Sequence, residues 1–223
     1  MTAASAETRA RQSRGISDDV ILEMFCRALD RRQITGGRLV DVGCGAGDLY
    51  HYAAARFESY VGVDVVRYAA FPEEAEFRQF DLESGGIPLA EHSADVVAAV
   101  EVIEHLENPR QFVRDLVRLV KPGGWVIVTT PNQLSVLSMV TLLFKQRFQA
   151  FQDVHYPTHL TALLEVDLRR IAGECGLENV GIEYSLKGRI PLSSMHYPRT
   201  ASRWFPRALS ENVLMIGQRS HNA

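Results

Sequence analysis

Residues 39–49 read LVDVGCGAGDL, and an acid, Asp64 in VGVDVV, follows seventeen residues after the last glycine of that stretch. Leu39 and Val40 are apolar and β-prone, Asp41 ends the run, and Gly43, Gly45 and Gly47 take alternate positions before an apolar, helix-forming stretch. This order predicts a buried strand, a glycine turn and a helix. Glycine lets the backbone take positive φ and come close to a ligand, with helix-terminal N–H groups aimed at it. Asp64 closes the next predicted strand, where a carboxylate can accept both hydroxyls of a ribose. Loop and acid together point to a nucleotide-type cofactor, since a purely structural turn needs the glycines but not the acid.

The spacing narrows the cofactor. A dinucleotide site reads G-x-G-x-x-G, its third glycine admitting close packing around a pyrophosphate. Here the glycines read G-x-G-x-G behind Asp41. An acid beside the loop repels a pyrophosphate and welcomes the ammonium of an amino acid. The chain resembles the class I S-adenosylmethionine-dependent methyltransferases, whose first motif is acid-x-G-x-G-x-G. The likeness spans about residues 20–218 and is nearest in flavour to the ubiquinone-biosynthesis O-methyltransferases.

Alternating elements support a single α/β domain. Strands are predicted at about 38–42, 60–64, 76–81, 94–101, 124–130, 179–186 and 212–218, and helices at about 47–56, 108–120 and 165–175. An earlier helix is capped by Ser17 and carries the stripe Val20, Ile21, Met24, Phe25, Ala28 and Leu29. Such alternation implies a parallel sheet covered on both faces. No clear crossover helix separates the last two strands, which are expected to pair antiparallel. The resemblance implies a Rossmann-like, doubly wound, mostly parallel seven-stranded sheet with an antiparallel last strand. Residues 1–16 read as a mobile leader and 17–223 as one methyltransferase domain, with a lid-like insertion at about 133–158 and a long connection at about 187–210.

The resemblance also implies cofactor contacts at Asp41, Gly43, Cys44, Gly45, Gly47, Asp64, Val65, Asp81, Leu82 and Glu101. Asp81 would accept from the adenine amino group while the Leu82 N–H meets the ring. Read on their own, Asp81 is a strand-end acid starting a turn, and Cys44 is a small residue suited to a tight loop. The segment VEVIEHLENP then places Glu101, Glu104 and His105 at i, i+3 and i+4, one face of a helical turn. Two carboxylates on one face repel unless a cation neutralises them, and two Glu oxygens with a His nitrogen suit a divalent metal. His159 offers a fourth ligand. Small-RNA 3′-end methyltransferases hold a metal with a similar Glu-x-x-Glu-His segment and a later His. The same pattern also occurs without a metal, leaving His105 as a general base or an orienting group, and the two acids as caps.

The insertion contains Leu137, Val140, Phe144, Phe148 and Phe151 at helical spacing, with Lys145 and Arg147 between them. It reads as a lid, as an interfacial surface for a membrane or lipid-like substrate, or as a dimer contact. Asn132, at the ligand-facing edge, is a substrate-binding or turn residue. The 223 residues carry 24 Lys and Arg against 27 Asp and Glu, so no strong nonspecific binding to nucleic acid is expected. Three cysteines without a C-x-x-C pair suit free thiols in a reducing cytoplasm. The expected reaction is methyl transfer from S-adenosylmethionine to a small-molecule acceptor, a hydroxyl oxygen first, with metal-dependent RNA 3′-end methylation as the alternative. A nicotinamide-dependent oxidoreductase and a noncatalytic methyltransferase-like module are the readings from other classes. Oligomeric state stays open.

Overall fold

The structure is a computed structural model that describes residues 6–13 and 15–221. Seven strands form one sheet in the order β3-β2-β1-β4-β5-β7-β6: β1 Arg38–Val42, β2 Ser59–Asp64, β3 Glu76–Gln79, β4 Ala94–Ala99, β5 Val120–Pro131, β6 Leu177–Tyr184 and β7 Asn212–Arg219. The β1/β2, β1/β4, β2/β3 and β4/β5 pairs are parallel, and β7 runs antiparallel to both β5 and β6. The expected inserted last strand is therefore present. Chain order departs from β1 in both directions, which opens a crevice beyond the carboxyl ends of β1 and β4.

Side-chain alternation divides the core between the two faces. Val40, Val42, Val97, Ala99, Val126 and Val128 meet α4 (Pro109–Leu119) and α6 (Glu165–Glu174) through Phe112, Leu116, Leu168 and Ile171. Leu39, Tyr60, Val96, Ala98 and Ile127 meet α2 (Asp19–Arg32) and α3 (Asp48–Ala53) through Leu22, Phe25, Leu29 and Leu49. The cap of α2 is Asp18, one residue beyond the expected Ser17. Its side chain accepts from the Val20 N–H at 3.1 Å, while the Ser17 N–H donates to Asp48 Oδ2 at 2.8 Å. Asn108 caps α4 with Pro109 in the first turn, where a missing N–H costs nothing.

Three local findings modify the expectations. The strand expected at about 124–130 starts earlier, since β5 takes in Pro122, Gly123 and Gly124, and its pairing jumps from Ala94↔Val120 to Val96↔Trp125. The connection before β7 holds a short helix, α7 (Arg199–Trp204). Part of the segment read as a leader forms α1, Ala6–Ser13, which buries no residue of its own. It is held by an Arg9–Glu83 ion pair at 2.6 Å and by Tyr68 Oη donating to the Ala10 carbonyl at 2.5 Å. Residues 1–5 and 14 of that segment lie outside the described residues.

The insertion contributes α5, Val136–Lys145, and the apolar stripe read from the sequence divides on it, Leu137 being buried and Phe144 exposed. Leu137, Ser138 and Thr141 are buried, whereas Leu143 is 71% and Phe144 79% exposed. Two apolar stripes overlap on this helix, and the side carrying Ser138 and Thr141 packs inward because both hydroxyls find partners there. Ser138 Oγ accepts from the Gln149 N–H, and Thr141 Oγ1 lies 3.0 Å from Gln149 Oε1. Among the described residues no helix is long and apolar enough to cross a membrane.

Candidate active site

The crevice is a cavity of about 560 Å³. It is walled by the β1, β2 and β4 ends, α1, and the segment from Val154 to His159. Of the residues expected to contact cofactor, Asp41, Gly43, Cys44, Gly45, Asp64, Val65, Asp81, Leu82 and Glu101 line it. Gly47 does not. It caps α3 at φ 89°, and a Cβ there would stand 2.4 Å from Pro72 Cδ, so packing accounts for this glycine. Cys44 fits the small-residue reading as well. Its Sγ packs over Gly62, where a Cβ would approach it to 2.7 Å, and burial pushes the thiol up.

Asp64 holds the loop in shape. Its Oδ2 accepts from the Gly45 N–H at 2.9 Å and its Oδ1 from the Val66 N–H at 3.0 Å. Burial raises its pKa, and backbone N–H groups oppose the rise. Each carboxylate oxygen can accept twice, so one lone pair on each stays available. Asp41 is 1% exposed and accepts from Tyr60 Oη at 2.6 Å through Oδ2, while Oδ1 has no partner. Burial lifts its pKa to about 7. An orphaned, buried carboxylate oxygen beside the glycine loop suits a cationic group. Asp81 caps the turn that follows β3 by accepting from the Glu83 N–H, as its structural reading expected, and also lines the cavity.

Gly45 sits at φ 52°, and a Cβ there would stand 2.3 Å from the Gly15 carbonyl oxygen, which accepts from the Ala46 N–H at 2.7 Å. Gly45→Ala is therefore expected to push the 15–17 segment off the loop. A loss of about 1–3 kcal/mol is expected for an L-residue forced into this backbone region. Calorimetry should show S-adenosylhomocysteine binding weakened about tenfold or more, and thermal melting should show a lower midpoint.

The β4 end carries the second group. Glu101 is held at φ 54°, a strained conformation for a side chain of this size. Thr129 Oγ1 donates to its Oε1 and Asn212 Nδ2 to its Oε2, both at 3.1 Å. Glu104 is fully buried, and neither of its carboxylate oxygens has a hydrogen-bond partner. Its own backbone N–H and the Thr130 hydroxyl are near enough to oppose the rise in its pKa but lie outside hydrogen-bonding geometry. Burial lifts Glu104 to about 8; burial and then Glu104 lift Glu101 well above the carboxylate range.

Two imidazoles stand beside Glu104. His105 Nδ1 lies 2.8 Å from the Thr158 carbonyl, and His159 Nδ1 lies 2.7 Å from the Ala150 carbonyl. A carbonyl only accepts, so each Nδ1 carries the proton and each Nε2 keeps a lone pair. Burial lowers both pKa values, that of His159 to about 4 with help from His105. His155 is different: its Nδ1 accepts from the Gln152 N–H at 3.2 Å while its ring stacks on His159. Ligating atoms of Glu104, His105 and His159 lie within 4.8 Å of one another. Glu101 does not join this group, so the expected four residues come together as three, with Glu101 beside them on Thr129 and Asn212.

Two further residues escaped the sequence reading. Among the described residues, Arg9 is the sole Lys or Arg in the cavity's lining, against eight Asp and Glu. No pattern in the polar segment 6–13 marks it. Tyr60, which satisfies Asp41, was legible only as a strand residue. Asn132 is engaged structurally, its Nδ2 donating to the Arg207 and Ser210 carbonyls and its Oδ1 accepting from the Leu134 N–H.

A switch-point crevice with a glycine loop, acids at three strand ends and an orphaned carboxylate oxygen defines an α/β transferase built for an amino-acid-linked nucleoside. Residues 10–182 match the family described as Methyltransferase domain, and the chain belongs to it. It is 28% identical over 156 residues to a ubiquinone biosynthesis O-methyltransferase of Thiobacillus denitrificans, covering 66% of this chain and 67% of that protein. A protein of the same description from Paracidovorax citrulli is 33% identical over 113 residues, covering 45% of this chain and 46% of the relative. The chain thus spans about half the length of several curated relatives it matches. A S-adenosylmethionine-dependent methyltransferase from Archaeoglobus fulgidus superposes with a TM-score of 0.64 at 18% identity, over 89% of this chain and 94% of that one. A Haemonchus contortus phosphoethanolamine N-methyltransferase, solved with S-adenosylhomocysteine, gives 0.57 at 16% identity, over 91% and 53%. The chain is a S-adenosylmethionine-dependent methyltransferase, which sets aside the oxidoreductase and noncatalytic readings.

Proposed function

We propose that the chain transfers a methyl group from S-adenosylmethionine to a hydroxyl oxygen of a small-molecule acceptor, with a divalent cation held by Glu104, His105 and His159. The observation that carries this reading is Glu104, a fully buried carboxylate without a partner, whose ligating atoms lie within 4.8 Å of those of two imidazoles that each turn Nδ1 to a carbonyl. An isolated buried carboxylate is costly, and a cation removes that cost. The sulfonium activates its own methyl group, and a divalent cation lowers the pKa of a hydroxyl beside it. The chain's residues supply position and charge. Asp41 Oδ1 is assigned to the donor's ammonium, Asp64 to its ribose hydroxyls, and Asp81 with the Leu82 N–H to its adenine. His105 is assigned to the cation rather than to general-base work, since one Nε2 cannot serve both. Carbonyls of Thr158 and Ala150 fix the two ligand tautomers, the usual role of groups behind a metal-bound histidine.

Among the described residues, the eight acids around the cavity weigh against a phosphodiester backbone, and thus against RNA ends, as acceptor. The outward apolar face of α5, with Leu143 and Phe144 beside Lys145 and Arg147, is where we place peripheral contact with a membrane. The free thiols of Cys26, Cys44 and Cys175 accord with a cytoplasmic location.

The test is cation binding as a function of pH. Glu104 must lose its proton to ligate, so Mn²⁺ affinity by calorimetry should fall about tenfold per unit below pH 8. Without cation, native Glu104 keeps its proton between its ordinary 4.5 and about 8, where the unfolded chain has lost it. Its contribution to stability is therefore full below about 4.5 and is lost as pH rises toward 8. Added Mn²⁺ should restore the melting midpoint at pH 8. Methyl transfer to catechols unaffected by EDTA would sink the reading.

A further inference from the structure

The amino-terminal helix α1 lies across the crevice with one face on it. Ala6, Arg9, Ala10 and Ser13 recur at helical spacing and line the cavity, whereas Glu7 and Arg11 stand in solvent and pair with each other at 2.8 Å. An eight-residue helix does not hold on its own and needs something to pack against. Yet α1 belongs to neither face of the core and buries none of its residues. What its inner face meets is the cavity.

Three fastenings of this segment fall beside groups assigned to the donor. Arg9 pairs with Glu83, next to Asp81 and Leu82 at the adenine end. Tyr68 Oη donates to the Ala10 carbonyl from the turn that leaves Asp64, and the Gly15 carbonyl accepts from the Ala46 N–H inside the glycine loop. The helix is thus tied to the segments that follow β1, β2 and β3, the same three that carry the donor contacts. These ties are polar and lie outside the apolar core, so α1 can come away while the sheet stays intact.

We propose that α1 is a strap that shuts over the donor, and that its opening sets how fast S-adenosylmethionine enters and S-adenosylhomocysteine leaves. The nucleoside supplies the surface on which the inner face of the helix packs. The Arg9–Glu83 and Tyr68–Ala10 ties join protein to protein, so they hold the strap shut with or without it. This rests on the donor contacts assigned above.

The experiment uses the full chain and S-adenosylhomocysteine in two measurements. Tryptic cleavage after Arg9 and Arg11, followed by mass spectrometry, should slow at least about fivefold when the ligand is saturating, since the protease needs the strap open. Association and dissociation rates are then read by surface plasmon resonance. Tyr68→Phe removes one tie and should raise both rates, dissociation the more, by about two- to tenfold. Arg11→Pro breaks the helix at a residue outside the cavity lining and should raise both by about tenfold or more. It keeps the test readable if the Tyr68 variant disturbs its own turn. A wall that merely touches the donor would speed dissociation alone. That result in both variants, rates that move in neither, or cleavage indifferent to bound ligand would overturn the strap. Failure of the parent chain to bind S-adenosylhomocysteine at all would instead overturn the donor site beneath it.

Discussion

Glu104→Gln is expected to abolish measurable Mn²⁺ binding and to lower methyl transfer by about 10²–10³-fold, while S-adenosylhomocysteine affinity stays within about twofold. Glutamine keeps the volume and one acceptor oxygen but cannot carry the charge that a divalent ion needs. The variant should remain folded, because it removes a buried ionisable group that no hydrogen bond supports. Its cation-free melting midpoint should lose the decline between pH 5 and pH 8 that Glu104 imposes on the parent. A parent-like Mn²⁺ titration would refute the ligand set. His159→Ala should weaken the ion in the same direction, since its Nε2 is one of the three converging donors.

The second large effect belongs to Asp64. Asp64→Ala removes the acceptor of the Gly45 N–H in the glycine loop and that of the Val66 N–H just beyond β2, together with the assigned ribose contacts. Hydrogen bonds to a charged group contribute about 1.5–3 kcal/mol each. S-adenosylhomocysteine affinity should therefore fall by about 10²-fold or more. Asp64→Asn retains an acceptor oxygen for one N–H but turns an NH₂ toward the other, and should lie between parent and alanine. Unchanged affinity of the alanine variant in calorimetry would remove the assignment of this carboxylate to the donor.

The residues that proved legible share a short-range signature. Leu39, Val40 and the three glycines spell strand and turn, and alternation along β1, β4 and β5 follows from a sheet covered on both faces. Asp64 and Asp81 could be placed because strand ends in such sheets face the crevice. What stayed hidden depends on contacts between distant segments. Nothing in residues 6–13 shows an apolar stripe, and that helix is anchored by Tyr68 and Glu83, some 60 to 75 residues away in sequence. On α5, two overlapping stripes compete, and Gln149, which meets both Ser138 and Thr141, decides between them. The sequence placed Glu101, Glu104 and His105 on one helical face, but a left-handed residue at Glu101 turns it toward Asn212 instead. Periodicity carries no information about such a backbone reversal.

The anchoring of the amino-terminal segment has a practical consequence. Arg9, Ala10 and Ser13 form one wall of the donor's chamber, and Gly15 is bonded to the loop at Ala46. Seating that segment and binding the donor therefore favour one another, by the same factor in either direction. Displacing residues 6–13 from the cavity is therefore expected to be measured as a poorer apparent affinity for S-adenosylmethionine even though the sheet and its glycine loop are untouched.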